Sequence, residues 1–270
     1  SAPTKCEYDA QDNLIKVTDP KNLATTYTYN GFNELVTQVS PDTGTTGFTY
    51  DNAGNLQTKT DARGVTVTYG YDSLNRVISI AYPAYTNPGS GIVDPAETVT
   101  YTYDTCTNGK GRLCSLTDKT GTTSYSYDQK GRVLSKSQTV GGLTQTVSYR
   151  YNAAGQMDRM TLPSGKAVDY GYLNNRIVSI TYDGTQQIIK NADYEPFGPV
   201  GEWTWGNDSV ANPNKHIRYF DLDGRNTKIE SGNGIDPTII VYDAASRITD
   251  LQRLTGANVD PAKSTTYGYD

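Results

Sequence analysis

The sequence predicts an all-β protein built of tandem antiparallel hairpins, and three observations carry that expectation. Tyr followed by Asp or Asn returns along the chain at Tyr8-Asp9, Tyr29-Asn30, Tyr50-Asp51, Tyr71-Asp72, Tyr103-Asp104, Tyr127-Asp128, Tyr151-Asn152, Tyr242-Asp243 and Tyr269-Asp270. Weaker copies sit at Tyr172-Leu173, Tyr194-Glu195 and Tyr219-Phe220-Asp221. Successive tyrosines lie 21, 21, 21, 32, 24, 24, 21, 22, 25, 23 and 27 residues apart, and a period of this size marks a repeat architecture. Residues between the turns alternate, with Tyr-x-Tyr at 27/29, 69/71, 101/103, 125/127, 149/151, 170/172 and 267/269. Positions two apart on a strand share a face, so each pair lays two rings on one side of a sheet. Gly and Pro punctuate every segment, and no apolar period of helical type persists for two turns.

One unit, residues 50–71, shows the elements in order. A strand ends at Tyr50. The first turn runs from Asp51 to Asn55, where the aspartate can bond the backbone two residues on. Four residues after the tyrosine comes a residue tolerant of positive φ, namely Asp12, Asn33, Gly54, Asn75, Gly131 or Gly155 in different units; these are the types a left-handed position favours. An apolar residue follows, at Leu14, Leu35, Leu56, Val77, Leu113, Val133, Met157, Ile177 and Ile248, expected to rest against the tyrosines. A second turn, Asp61-Ala62-Arg63-Gly64, leads to the strand ending at Tyr71. Cys6, two residues before Tyr8, takes the place of the first ring and reads as a small core residue.

Composition fits a thin sheet. Apolar residues make up 35%, low for a globular domain, and 22 tyrosines against 4 Phe and 2 Trp supply the deficit. Tyrosine buries a large ring and keeps a polar tip. About eleven units stack into one array over residues 1–270, since a repeat unit needs neighbours to bury anything. The chain stops inside a repeat motif, so it is expected to be a segment of a longer protein. Net charge is −5 without a Lys/Arg run, which speaks against a nucleic-acid partner. No apolar stretch nears the ~20 residues of a membrane span, and no leader pattern is visible.

Cys106 and Cys114 flank Asn108-Gly109, a turn that folds the stretch back and can bring the sulfurs within bridging reach. In an exported protein a disulfide is expected; two half-buried thiols are the alternative. The insertion at 83–97 reads as an exposed loop, either tolerated or part of a binding face. The other irregular stretch, Phe197 to His216, holds Trp203 and Trp205, which share a face and either fill space or stack on a sugar or partner.

No chemistry emerges from the residues. His216 is the single histidine, has no Gly-x-Ser-x-Gly elbow to serve, and reads as a solvated strand-edge residue. No metal-ligand spacing or phosphate loop is present. The aspartates recur at one turn position, where each unit needs them for the turn. Neither an enzyme nor a cofactor is expected.

Tyr127-Asp128-Gln129-Lys130-Gly131-Arg132-Val133-Leu134, Tyr194-Glu195-Pro196-Phe197-Gly198 with Trp203, Asp221-Leu222-Asp223-Gly224-Arg225, and the Cys106–Cys114 stretch together resemble the YD repeats of the rearrangement-hotspot (Rhs) family over nearly the whole chain. The resemblance implies a β-sheet strip spiralling, solenoid-like, into a hollow shell. In bacterial members such a shell encloses a toxic C-terminal domain; similar shells occur in insecticidal toxin complexes and teneurin adhesion proteins. The function so implied is a non-catalytic wall segment of a secreted or surface-exposed bacterial protein, its partners the other repeats and the toxin domain. The alternative is a module binding carbohydrate or a cell-surface receptor through its tyrosines, Trp203 and Trp205. Open strand edges are expected to favour self-association.

Overall fold

A computed structural model describes residues 3–196, 198–206, 214–232 and 237–269. Phe197, residues 207–213 of the irregular stretch before His216, and Asp270 of the last Tyr-Asp pair lie outside them. Every regular element among the described residues is a strand. The chain divides into two compact units, Ser1–Thr146 and Val147–Asp270.

In the first unit each strand pairs antiparallel with the next in sequence: Lys5–Tyr8, Leu14–Thr18, Ala24–Tyr29, Leu35–Ser40, Gly44–Tyr50, Leu56–Thr60, Thr66–Tyr71, Val77–Tyr82, Glu97–Tyr103, Leu113–Asp118, Gly121–Tyr127 and Val133–Val140. The insertion between Val77–Tyr82 and Glu97–Tyr103 forms a small hairpin of its own, Tyr85–Thr86 against Val93–Asp94. In the second unit, which begins within Leu143–Tyr151, that strand and Met157–Thr161, Ala167–Leu173, Arg176–Tyr182, Gln186–Tyr194, Val200–Trp205, Lys215–Phe220, Asn226–Gly232, Thr238–Tyr242 and Ile248–Thr255 likewise pair antiparallel in sequence order.

Each sheet is one layer thick. Among the described residues no large side chain is fully buried, and Cys114, Tyr127 and Trp203 are the hydrophobic residues that come closest. The two faces of the first unit differ in chemistry because the strands alternate. One face carries Tyr27, Phe48, Tyr69, Tyr101 and Tyr125, opposite Gln38, Lys59, Ile80, Leu116 and Lys136. The other is a field of hydroxyls, with Thr49 opposite Thr58, Thr60 opposite Thr66, Thr117 opposite Thr122 and Ser126 opposite Ser135. Their side-chain oxygens meet at 2.6, 2.9, 3.0 and 2.6 Å. Cross-strand pairs of this type contribute a few tenths of a kcal/mol each.

Sequence reasoning missed a bulge in each hairpin that turns after a YD tyrosine; second hairpins such as Leu35–Ser40 with Gly44–Tyr50 are regular. Thr28 faces Thr37 but Tyr29 faces Leu35, leaving Val36 as an extra residue. The same shift occurs before Tyr50, Tyr71, Tyr103, Tyr127, Tyr151, Tyr172 and Tyr242. A bulge adds local right-handed twist, so twist enters once per unit at the YD tyrosine. Cys6 is not in a core: it is exposed, because Lys5–Tyr8 has Leu14–Thr18 on one side and no described strand on the other.

Candidate functional site

The repeated turn edge is where polar chemistry concentrates. Most of these turns are locked by the Asp or Asn that follows the tyrosine. Asp51 Oδ1 accepts the N–H groups of Ala53 and Asn55 at 2.8 and 2.9 Å. Asp72 does the same with Leu74 and Arg76, Asp128 with Lys130 and Arg132, and Asp243 with Ala245 and Arg247. The second bond, four residues on, holds the turn closed at its far end. Asp12, Asn33, Gly54, Asn75, Gly131 and Gly155 all have positive φ, from 60° to 86°. Asp61 repeats the device in the second turn, accepting from Arg63 and Val65.

In most units the YD tyrosine ties its hairpin to the one before. The Tyr29 hydroxyl donates to the Leu14 carbonyl at 2.9 Å, Tyr50 to Leu35, Tyr71 to Leu56 and Tyr127 to Leu113. In the second unit Tyr172 donates to Met157, Tyr194 to Ile177, Tyr242 to Asn226 and Tyr269 to Ile248. Tyr8, on the outer strand, is 59% exposed. Changing Tyr127 to Phe should therefore cost about 1 kcal/mol, the net worth of one hydrogen bond plus the unpaired Leu113 carbonyl; equilibrium denaturation checks this.

In most units the residue that closes the turn reaches the next unit. Arg76 bonds Asp72 through Nε at 2.7 Å and Asp104 through Nη2 at 2.6 Å, while its guanidinium lies 4.4 Å from the Tyr103 ring centre. Arg176 lies over Tyr194, Arg225 over Tyr242 and Arg247 over Tyr269, at 5.0, 5.2 and 4.6 Å. Cation–π contacts of this kind add about 0.5–1 kcal/mol at exposed sites.

These contacts set the acid response. The Arg76 guanidinium and the Gly111 N–H hold the Asp104 carboxyl down at about 2. Asn55 lowers Asp51, and the Arg76 N–H and side chain lower Asp72. A carboxyl whose folded pKa lies below its unfolded value of about 3.9 stabilises the fold above that value. Its contribution is lost as pH falls through the folded pKa. Stability should thus be flat from pH 8 to about 5 and fall between about 4 and 2. Burial raises the Tyr50, Tyr71 and Tyr127 phenols. Their contribution is present below an unfolded pKa of about 10 and lost above it. Denaturation midpoints across pH 2–11 test both limbs.

One turn is replaced by a bridged loop. Cys106 and Cys114 form a disulfide with a Cα–Cα distance of 5.5 Å. Asp104 (φ 67°) starts the loop, its Oδ1 accepts the Gly111 N–H at 2.6 Å, and Asn108 Nδ2 donates to the Tyr127 carbonyl at 3.0 Å.

Trp203 and Trp205 lie on Val200–Trp205, a strand paired on both sides. Their rings meet edge to face at 5.7 Å. Trp203 also stacks on His216 at 4.0 Å and has Arg218 at 5.1 Å, which leaves it 9% exposed. The expectation for His216 is corrected: it is part-buried in an interior strand, with Nδ1 2.9 Å from the Ser231 hydroxyl. Burial and the Arg218 charge push its pKa below the usual imidazole range. Among the described residues no group of three His, Cys, Asp or Glu is placed to hold a metal ion, and no helix is long and apolar enough to cross a membrane.

A single-layer meander of bulged hairpins, locked by turn aspartates and stitched by tyrosine hydroxyls, defines a YD-repeat shell protein. Residues 4–147, more than half of the chain, match the family model of the teneurin YD-shell, and the chain belongs to that family. Solved structures share the fold. The chain matches TcdB2-TccC3 without its hypervariable C-terminal region at TM-score 0.82 and 19% identity, over 99% of this chain and 15% of that one. TcdB2-TccC3 itself matches at TM-score 0.82 and 18% identity, over 98% and 15%. The Photorhabdus luminescens Tc holotoxin pore matches at TM-score 0.77 and 17% identity, over 94% and 14%. The chain thus spans about 15% of the length of the first two, and at these identities the likeness concerns the fold. No curated protein matches the sequence.

Proposed function

We propose that this chain is a wall segment, without catalysis of its own, of a secreted bacterial shell that encloses a C-terminal toxic domain of the same polypeptide. The observation that carries the proposal is the unit-to-unit tie: the same tyrosine-to-carbonyl bond recurs along both units. Such a tie makes a strip that extends by adding hairpins, with its polar groups spent on holding neighbours. On this reading residues 1–270 form one array of about eleven hairpins, partnered by further repeats and by the cargo. The disulfide suits an oxidising compartment. The fold is shared with TcdB2-TccC3, a protein with a hypervariable C-terminal region, and by analogy with it the reading places the cargo at the C-terminal end. The mechanism is steric, a wall between the cargo and its surroundings. The glycan reading is weaker, since the Trp203 ring is covered by His216, Trp205 and Arg218.

Protease treatment of the parent polypeptide, extended to its native C-terminus, tests the proposal. Native and denaturing gels should show a C-terminal piece that stays bound and resists digestion while the shell is folded. A C-terminus digested as fast as an unfolded chain would overturn the container reading.

A further inference from the structure

At several junctions the turn-closing residue meets the left-handed residue of the following unit, and there their identities are correlated. Asn13 Nδ2 donates to Asn33 Oδ1 at 3.0 Å, and Asn55 Nδ2 donates to Asn75 Oδ1 at 2.9 Å. Where the closing residue is longer, the partner differs. Glu34 extends over Gly54, its Oε1 3.3 Å from where a Cβ would stand. The Arg112 guanidinium occupies the space beside Gly131, where a Cβ would stand. Arg225 Nη1 donates to the hydroxyl of Ser246 (φ 62°) at 2.9 Å; at the bridged loop, where the turn is replaced, Arg76 instead takes the carboxylate of Asp104, the residue directly after Tyr103, which there has the positive φ (67°).

We infer that these two positions form a matching code that decides which YD hairpin can follow which. The downstream edge of a unit is an interaction surface with two settings. A short Asn reaches only partway across the gap and fits a hairpin that reaches back with its own Asn. A long Glu or Arg spans the gap and fits a hairpin presenting Gly, or a small or acidic side chain that accepts a hydrogen bond from the Arg. The backbone does not impose this choice, because Asn33 and Asn75 occupy the left-handed region at φ 62° and 60° as readily as Gly54 and Gly131 do at 80° and 79°. The closing side chain does. The code holds whether or not a cargo lies behind the wall.

Swapped pairs test it. Gly131→Asn places an amide where Arg112 lies; Arg112→Asn alone leaves the junction unbridged; together they recreate the Asn–Asn pair found at two other junctions. Amide exchange of Arg132, whose N–H is held by Asp128, reads the opening of that turn. Gly131→Asn should speed its exchange tenfold or more, and adding Arg112→Asn should bring it back to within threefold of the parent. The reciprocal swap, Asn55→Arg with Asn75→Gly, read at the Arg76 amide bound to Asp72, should show the same recovery and remains informative if the first variant does not fold. Double variants whose exchange rates equal the product of the single effects would overturn the code.

Discussion

Trp203→Ala should destabilise the second unit by about 3–5 kcal/mol, the largest single effect in the chain. Trp203 is the bulkiest of the nearly buried side chains, at 9% exposed, and the wall has no second layer to refill the space it leaves. The loss also uncovers His216, which stacks on that ring at 4.0 Å. The imidazole pKa should then rise toward about 6.5, because burial is the first cause of its depression. Urea denaturation followed by far-ultraviolet circular dichroism reads the first effect, and a proton NMR titration of His216 reads the second. Trp203→Phe should cost less than half as much. A loss under about 1 kcal/mol for the alanine variant would show that the cluster is not the anchor of this unit.

Opening the Cys106–Cys114 bridge should cost about 2–3 kcal/mol in the first unit. The bridge closes a loop with a sequence separation of 8, and chain-entropy reasoning gives that size for a loop so short. Cys114 is 5% exposed, and a Cβ on Gly109 would stand 2.5 and 2.6 Å from the two sulfurs, so the loop is moulded around the bridge. Cys106→Ser combined with Cys114→Ala should lower the denaturation midpoint and abolish its response to dithiothreitol. The parent should lose a similar amount on reduction. A parent midpoint indifferent to reductant would sink the prediction.

What was legible in the sequence was local. The hairpin array follows from a fixed period and strict alternation, and the left-handed positions follow from Asp, Asn and Gly four residues after each tyrosine. Those signals lie within one turn of chain. What was not legible acts between units. The bulge at each YD tyrosine leaves no residue-type signature, since the extra residue is Val36 in one unit, Gln57 in another and Cys114 in a third. The tyrosine-to-carbonyl bond spans about a strand pair and involves a backbone acceptor that no side chain advertises. One signal was present and passed over: Arg recurs just before the apolar residue at Arg76, Arg112, Arg132, Arg176 and Arg247, and at the same place before Asn226 as Arg225. Its position in the motif could have suggested a role beyond solvation. Cys6 and His216 were misread for one reason. Their environments depend on which strands lie beside them, Cys6 having one neighbour among the described strands and His216 two.

The single-layer construction has an evolutionary consequence. A protein with a central core cannot gain or lose twenty residues of it without rebuilding the packing on all sides. Here a hairpin meets chiefly the hairpins before and after it, so unequal crossing-over between gene copies of a unit can lengthen or shorten the strip while leaving distant units untouched. Such an event is tolerated when the two new neighbours agree at a junction: a carbonyl for the tyrosine, and a closing residue that suits the left-handed one. Selection at those few positions would police the joins, leaving the strand residues between them free to diverge.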